Sequence, residues 1–289
     1  MTDTRPGDRP LRTVLYMPAA NERALAKAET LDYDAVILDL EDAVAPEDKP
    51  AARERAVAAA SRLRERGRGI VTIRVNGPHT GWHQNDLAAV ADSAAHAVVL
   101  PKVGEPEDVW AAQDGLDRLS APEQLRIWAM IETPGAVVNS PRIAASAAGL
   151  QALILGANDL VHELGAQHVP GRAPLLAGLG WCVLAARAAG VRIIDAVFND
   201  VEDLDGLRAE CVQSRQFGFD GKTLIHPKQL AICREAFSPD DSEVAAARQI
   251  IQAWQDAGEG GVTTVNGRMI ELMHVENARR LLAAADAGD

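Results

Sequence analysis

No apolar run in this 289-residue sequence approaches the roughly eighteen residues that a bilayer-spanning helix needs. The first twenty residues carry Asp3, Arg5, Asp8 and Arg9 together with Pro6 and Pro10, where a signal peptide would need an uninterrupted apolar stretch. The expectation is a soluble, cytoplasmic protein with no membrane partner. A basic excess is missing as well: 29 Lys and Arg stand against 41 Asp and Glu, a formal net charge of −12. That argues against nucleic acid as a partner, because neutralising a phosphate backbone takes concentrated cationic side chains. It leaves room for a small anionic ligand held by a few local arginines.

Paired cysteines are also absent. Cys182, Cys211 and Cys233 are odd in number and form no Cys-x-x-Cys, so they read as core or surface thiols. The seven histidines are scattered and make no His-Glu-x-x-His, which speaks against a histidine metal site. There is no Gly-x-Ser-x-Gly elbow, no Gly-x-x-x-x-Gly-Lys-Ser/Thr loop and no Gly-x-Gly-x-x-Gly fingerprint. The signatures of a serine hydrolase, a P-loop nucleotidase and a Rossmann dehydrogenase are therefore all missing.

What is present is a large apolar fraction, 47%, arranged with a period. Short β-branched runs begin near Val14, Val36, Val71, Ala97, Ile127, Ala152, Arg192 and Phe219, at intervals of roughly 22 to 40 residues, the pace of repeated strand and helix units. Eight such units predict an α/β fold, a (β/α)8 TIM barrel over residues 10–238, more than a doubly wound sheet. The eighth run is the weakest, being interrupted by Gly218 and Gly221. Helices are expected over 51–66 and 176–189, which are rich in Ala, Arg and Leu. Residues 239–289 read as a C-terminal helical extension, with helices over 242–257 and 268–285 and a hinge at Gly258-Glu-Gly-Gly. Such a tail exceeds what barrel closure needs. It fits packing against another subunit or an extra helical layer.

Barrel active sites are built from the C-terminal ends of several strands, so polar residues there carry the functional reading. Asp39, Glu41 and Asp42 follow the second strand, Arg74 ends the third, Lys102 follows the fourth, Glu132 the fifth and Asp159 the sixth. Carboxylates converging on one mouth repel unless a cation neutralises them. Glu132 and Asp159 lie 27 residues apart, about one unit, and could share one hard divalent ion; all-oxygen ligation favours Mg²⁺. Equally open from spacing alone are Asp159 as a helix cap and Glu132 as a solvated loop acid. The Arg74 fork matches a carboxylate or a developing enolate, or else a salt bridge to Asp39, Glu41 or Asp42. Lys102 reads as a strand-end cation or as a snorkelling surface lysine.

Six segments then do more than suggest a class. AVILDLEDAVAP at 35–46, IRVNG at 73–77, LPKV at 100–103, IETPGA at 131–136, LGANDL at 155–160 and GKTLIHP at 221–227 resemble, in this order, the citrate lyase β-subunit-like branch of the HpcH/HpaI aldolase family. The resemblance covers about residues 12–236. It implies a Mg²⁺-dependent barrel that makes or cleaves carbon–carbon bonds in hydroxy-acyl-CoA thioesters such as malyl-CoA, citryl-CoA or methylmalyl-CoA. It implies that Glu132 and Asp159 bind the metal and substrate, that Arg74 binds substrate and acts in catalysis, and that Asp39, Glu41 and Asp42 surround them. It further implies a homo-oligomer, trimer or hexamer, in which the C-terminal segment of one subunit covers the site of another. A thioesterase on the same barrel, and a catalytically weakened binding subunit, are the competing readings.

Two positions depart from the family pattern. Similar enzymes carry an aspartate as acid/base in a Gly-Lys-Met-Ile-Asp segment; here the stretch is Gly267-Arg-Met-Ile-Glu, so the resemblance puts Glu271 in that catalytic role, with its carboxylate displaced by about 1.5 Å. Ala19 stands after Pro18 where glycine is common, near the expected ligand.

Overall fold

The computed structural model describes residues 10–67, 69–258 and 263–286. Eight parallel strands close into one barrel in sequence order: β1 (Thr13–Pro18), β2 (Ala35–Asp39), β3 (Ile70–Arg74), β4 (Ala97–Leu100), β5 (Arg126–Ile131), β6 (Leu150–Leu155), β7 (Arg192–Asp195) and β8 (Gly221–Leu224). Closure is made by β1 against β8, with Thr13 opposite Lys222 and Leu15 opposite Leu224. The expected (β/α)8 barrel is what the chain forms.

Strands of this kind have no solvent face, because helices cover the outside and side chains fill the inside. All five residues of β2 and of β3 are buried. Val14, Ile37, Ile70, Val99, Trp128, Ile154 and Ile194 meet in one core cluster. The Trp128 indole N–H, buried with it, donates to Gln151 Oε1 at 2.9 Å.

Helices return the chain to the start of each next strand: α1 (Glu22–Ala28), α2 (Lys49–Glu65), α3 (His83–Ala91), α4 (Pro106–Arg118), α5 (Pro134–Ala144), α6 (Ala157–Glu163), α7 (Leu176–Ala189) and α8 (Leu204–Phe217); α9 (Leu230–Phe237) follows the last strand. The longest interval between strands, from β6 to β7, holds two helices, α6 and α7. Among the described residues, no helix is long and apolar enough to cross a membrane.

β8 begins at Gly221, two residues later than the sequence pattern places it. Its glycine is a requirement of closure: a β-carbon there would overlap the carbonyl group of Leu11. β7 and β8 also bury charge. Lys222 Nζ lies 2.9 Å from Asp195 Oδ2 and 2.6 Å from Glu210 Oε1, and Arg172 Nη1 lies 2.7 Å from Asp195 Oδ2. Two cations face two anions, so the network is balanced. Burial raises the Asp195 pKa, but Lys222 and Arg172 outweigh it and hold the carboxyl below its usual range. The Lys222 ammonium, lowered by burial, is carried above its usual value by Asp195 and Glu210.

The chain divides into two compact units, the barrel through Cys233 and a second from Arg234. The second holds α10 (Asp241–Asp256), β9 (Thr263–Val265), β10 (Arg268–Ile270) and α11 (Leu272–Asp286). Its own core joins Trp254, Ile270 and Val275. Here the sequence expectation needs correction: residues 268–270 are a strand, not the start of a helix. Asn266 and Gly267 both take positive φ, 51° and 76°, as an Asn-Gly turn between two short antiparallel strands requires. Glu259 to Gly261, within the expected hinge, lie outside the described residues.

Candidate active site

The C-terminal ends of the strands surround a cavity of about 370 Å³ whose wall includes Tyr16, Asp39, Asp42, Arg74, Met130, Glu132, Gly156 and Asp159. Five of the sequence candidates thus meet in one place. Glu41 is buried behind the wall, and Glu271 belongs to the second unit, where it stands exposed between β10 and α11.

The loop after β2 is built to hold acids. Asp39 ends the strand and accepts the backbone N–H groups of Glu41 at 2.9 Å and Ala43 at 3.2 Å. Lys49, at the start of α2, is buried and donates to the carbonyls of Leu40 and Glu41 at 2.9 and 3.0 Å and to Asn76 Oδ1 at 2.6 Å. Asn76 in turn donates to Leu40 O and to Asp86. These bonds satisfy buried polar groups and fix the loop.

Arg74 projects from β3 into this frame. Its Nε and Nη2 fork onto the two oxygens of Asp39 at 2.6 and 2.7 Å, while Nη1 lies 2.8 Å from Glu41 and 3.3 Å from Asp42. The salt-bridge reading of Arg74 is realised, and the residue also lines the mouth. The guanidinium also sits 5.0 Å from the centre of the Tyr16 ring, a cation–π contact. Burial pushes the Glu41 carboxyl up to about 8, Arg74 opposing and Asp42 adding to the rise.

Glu132 follows β5 and is 3% exposed, which removes the reading of a solvated loop acid. Its Oε1 accepts the Lys102 backbone N–H at 2.6 Å. Its Oε2 lies where a β-carbon on Gly156 would come within 2.6 Å, so the glycine after β6 makes the space this carboxylate occupies. Burial raises the Glu132 pKa to about 7; the Lys102 amide opposes this and the Asp159 charge adds to it. Asp159 is in the first turn of α6, whose cap residue is Gly156 without a side-chain bond. The capping reading of Asp159 therefore fails, and its carboxylate is free to face the mouth.

Two carboxylates from paired strands β5 and β6, one of them desolvated and raised by the other, suit a hard divalent cation. They leave most of an octahedral shell to water and substrate oxygens. Among the described residues no group of three or more His, Cys, Asp or Glu stands in metal-binding arrangement. Ala19, fully buried, donates its N–H to Asp39 O at 3.0 Å; Pro18 beside it reaches the cavity wall. Tyr16, Met130 and Gly156 were not singled out by sequence reasoning. Gly156 stands inside the LGANDL segment, where its absence of a side chain was the available signal.

The chain closes a (β/α)8 barrel with these acids and an arginine at its C-terminal mouth, and its residues 180–287 match the family described as C-C bond lyase of the TIM-barrel fold. It belongs to the HpcH/HpaI aldolase/citrate lyase family, whose model matches residues 12–227. The chain is 44% identical over 280 residues to a (3S)-malyl-CoA thioesterase of Cereibacter sphaeroides, covering 96% of this chain and 95% of that one. It is 32% identical over 282 residues to the citrate lyase subunit beta of Escherichia coli, covering 95% and 93%. The crystal structure of protein CitE from Mycobacterium tuberculosis in complex with magnesium, acetoacetate and coenzyme A superposes with a TM-score of 0.80 at 29% identity, over 96% of this chain and 99% of that one.

Proposed function

We propose that this chain is a Mg²⁺-dependent lyase that cleaves or forms a carbon–carbon bond in a hydroxy-acyl-CoA thioester of the malyl-CoA, citryl-CoA or methylmalyl-CoA type. The observation that carries the reading is the convergence of Arg74, Glu132 and Asp159 on one cavity. A relative named for malyl-CoA supports the substrate class, and a structural neighbour holding magnesium, acetoacetate and coenzyme A supports the cation and the thioester carrier.

Glu132 and Asp159 would hold the cation, which would supply Lewis-acid charge beside the acid portion of the substrate and make its hydroxyl easier to deprotonate. Arg74 places positive charge where the oxyanion of the forming oxo acid develops. Its fork is anchored on Asp39, and its contact with the exposed Asp42 at 3.3 Å is the one an incoming carboxylate can replace. The bond between the hydroxyl-bearing carbon and the thioester α-carbon breaks, and its electron pair passes to the acyl-CoA as an enolate. Glu271 returns a proton to that α-carbon, or removes one in the reverse condensation. The protein works as a homo-oligomer in which the C-terminal unit of one subunit, with Glu271, covers the cavity of another. An anionic CoA ester is received against the net charge of −12 by the ion and by local cations.

The second reading is hydrolysis of the thioester by water in the same cavity, and 44% identity to a malyl-CoA thioesterase favours it. Turnover of a panel of hydroxy-acyl-CoA esters, followed for both free CoA and oxo acid, separates the two. Oxo acid with acyl-CoA supports the lyase; free CoA with intact hydroxy acid replaces it with the thioesterase. Neither product across the panel leaves a binding subunit.

A further inference from the structure

Lys102, just past the end of β4, has a backbone φ of 54°, the left-handed region that a non-glycine residue enters only under strain. Two contacts coincide with that strain. The Lys102 N–H donates to Glu132 Oε1 at 2.6 Å, and its Nζ stands 3.9 Å from both Glu41 Oε1 and Asp159 Oδ2. One residue thus meets both proposed cation ligands, one through its amide and the other through its ammonium. At 3.9 Å the ammonium is beyond hydrogen-bonding distance of either oxygen, and its side chain is 53% exposed, so it can swing aside.

We propose that Lys102 is a positioning residue with two separable tasks. Its left-handed backbone aims an amide at one oxygen of Glu132 and leaves the other for a divalent cation; its ammonium is the resident counter-charge over Asp159 that the cation displaces. The inference rests on the reading of Glu132 and Asp159 as cation ligands. An arriving cation must expel a like charge, so the ammonium weakens cation binding while it steadies the cation-free protein. The backbone task acts in the opposite direction, strengthening cation binding by orienting Glu132.

The test is calorimetric titration of Mg²⁺ into substrate-free enzyme, with thermal unfolding of the same samples. Lys102→Gly takes the left-handed backbone freely and keeps the amide but loses the ammonium. It should bind Mg²⁺ about three- to tenfold more tightly, unfold at a lower temperature without Mg²⁺, and gain more in Tm when Mg²⁺ is added. Lys102→Asn, a second neutral residue that tolerates this backbone, should follow it. Lys102→Val disfavours the left-handed region and should bind Mg²⁺ about tenfold more weakly than Lys102→Gly.

Glycine and asparagine variants that bind no more tightly than wild type overturn the counter-charge. A valine variant that folds and binds like the glycine variant overturns the backbone task; if valine does not fold, Lys102→Ala is read in its place with the same criterion. Glu132→Gln separates this proposal from the one beneath it. Unchanged Mg²⁺ affinity in Glu132→Gln removes the cation site itself, whereas lost affinity there beside wild-type affinity in Lys102→Gly removes only the counter-charge task of Lys102.

Discussion

Gly156 and Glu132 share one volume: a β-carbon on the glycine would lie 2.6 Å from Oε2 of the glutamate. The pair comes from adjacent strands, with the glycine N–H donating to Ile131 O at 3.0 Å, so neither backbone retreats without cost. Gly156→Ala would also overlap Glu132 Cβ, which side-chain rotation cannot move, so the segments after β5 and β6 should shift apart and carry the Glu132 carboxylate out of place while the barrel stays folded. We expect a loss of about 1–3 kcal/mol in stability and a Mg²⁺ affinity lowered about 10–100-fold, read by calorimetric titration and denaturant unfolding. Unaltered Mg²⁺ affinity in a folded variant would show that the glutamate does not hold the ion.

Direct removal of the ligands is the companion prediction. Glu132→Gln and Asp159→Asn should each abolish Mg²⁺-dependent turnover with the fold intact, because Glu132 follows β5 and Asp159 lies in the first turn of α6, both outside the barrel core. Far-ultraviolet circular dichroism and activity against Mg²⁺ concentration check this. Full Mg²⁺ dependence in both variants would remove the assignment.

Arg74→Lys tests the arginine as a shape and not only a charge. A lysine cannot fork onto Asp39 while also meeting Glu41, so buried charge-assisted bonds are lost, each about 1.5–3 kcal/mol. Turnover should drop about 10²–10³-fold if the guanidinium meets the developing oxyanion. Stability loss without any fall in turnover, measured on the folded fraction, would restrict Arg74 to a structural role.

The parts of this site that were legible in the sequence are those that depend on residue type at a strand end. Asp39, Arg74, Glu132 and Asp159 are polar groups closing apolar runs, and the barrel brings all four to one cavity. What was not legible depends on space and backbone angle. The glycine of β8 looked like an interruption because the close approach of Leu11 is a property of barrel closure, not of local pattern. Lys102 read as a strand-end cation or a snorkelling surface lysine, and its positive φ left no trace in composition. The turn at Asn266-Gly267 was legible in principle, and helix-like neighbours on both sides masked it. Lys222 and Asp195 were hidden for another reason: each alone contradicts a buried strand, and only their pairing makes it tolerable.

That pairing makes the fold sensitive to pH at both ends of the scale. Asp195 has a native pKa held below its usual value near 3.9, so between the two values the unfolded chain binds more protons. Its contribution is full above about pH 4 and is lost as pH falls through the native value. Lys222 has its pKa raised above the usual value near 10.4, so its contribution is full below that value and is lost as pH rises through the native one. From this pair alone, denaturant midpoints should fall below about pH 4 and above about pH 10.4; between those limits, in Mg²⁺-free protein, Glu41 and Glu132, raised to about 8 and about 7, make the midpoints decline as pH rises from about 4.5 to 8. Asp195→Asn leaves Lys222 and Arg172 short of an anion, should cost about 3–5 kcal/mol at neutral pH, and should flatten the acid limb. An acid limb as steep as wild type in that variant would place the acid sensitivity elsewhere.

Glu271 is set so that its side chain can be tested apart from its backbone. The N–H of Glu271 donates to His274 Nδ1 at 3.0 Å, and its carbonyl accepts the His274 N–H at 2.9 Å. The start of α11 is thus held by main-chain groups that any substitution except proline retains. Glu271→Ala should leave thermal unfolding nearly unchanged while lowering kcat about 10²–10⁴-fold, the usual worth of a general acid/base. Glu271→Asp shortens the reach by one carbon–carbon bond, about 1.5 Å, and a displacement of that size changes rates about a hundredfold. A faster aspartate variant would mean that the cavity is still shaped for the shorter acid, and a slower one that it has adapted to glutamate. Wild-type kcat in Glu271→Ala would show that the proton comes from another group.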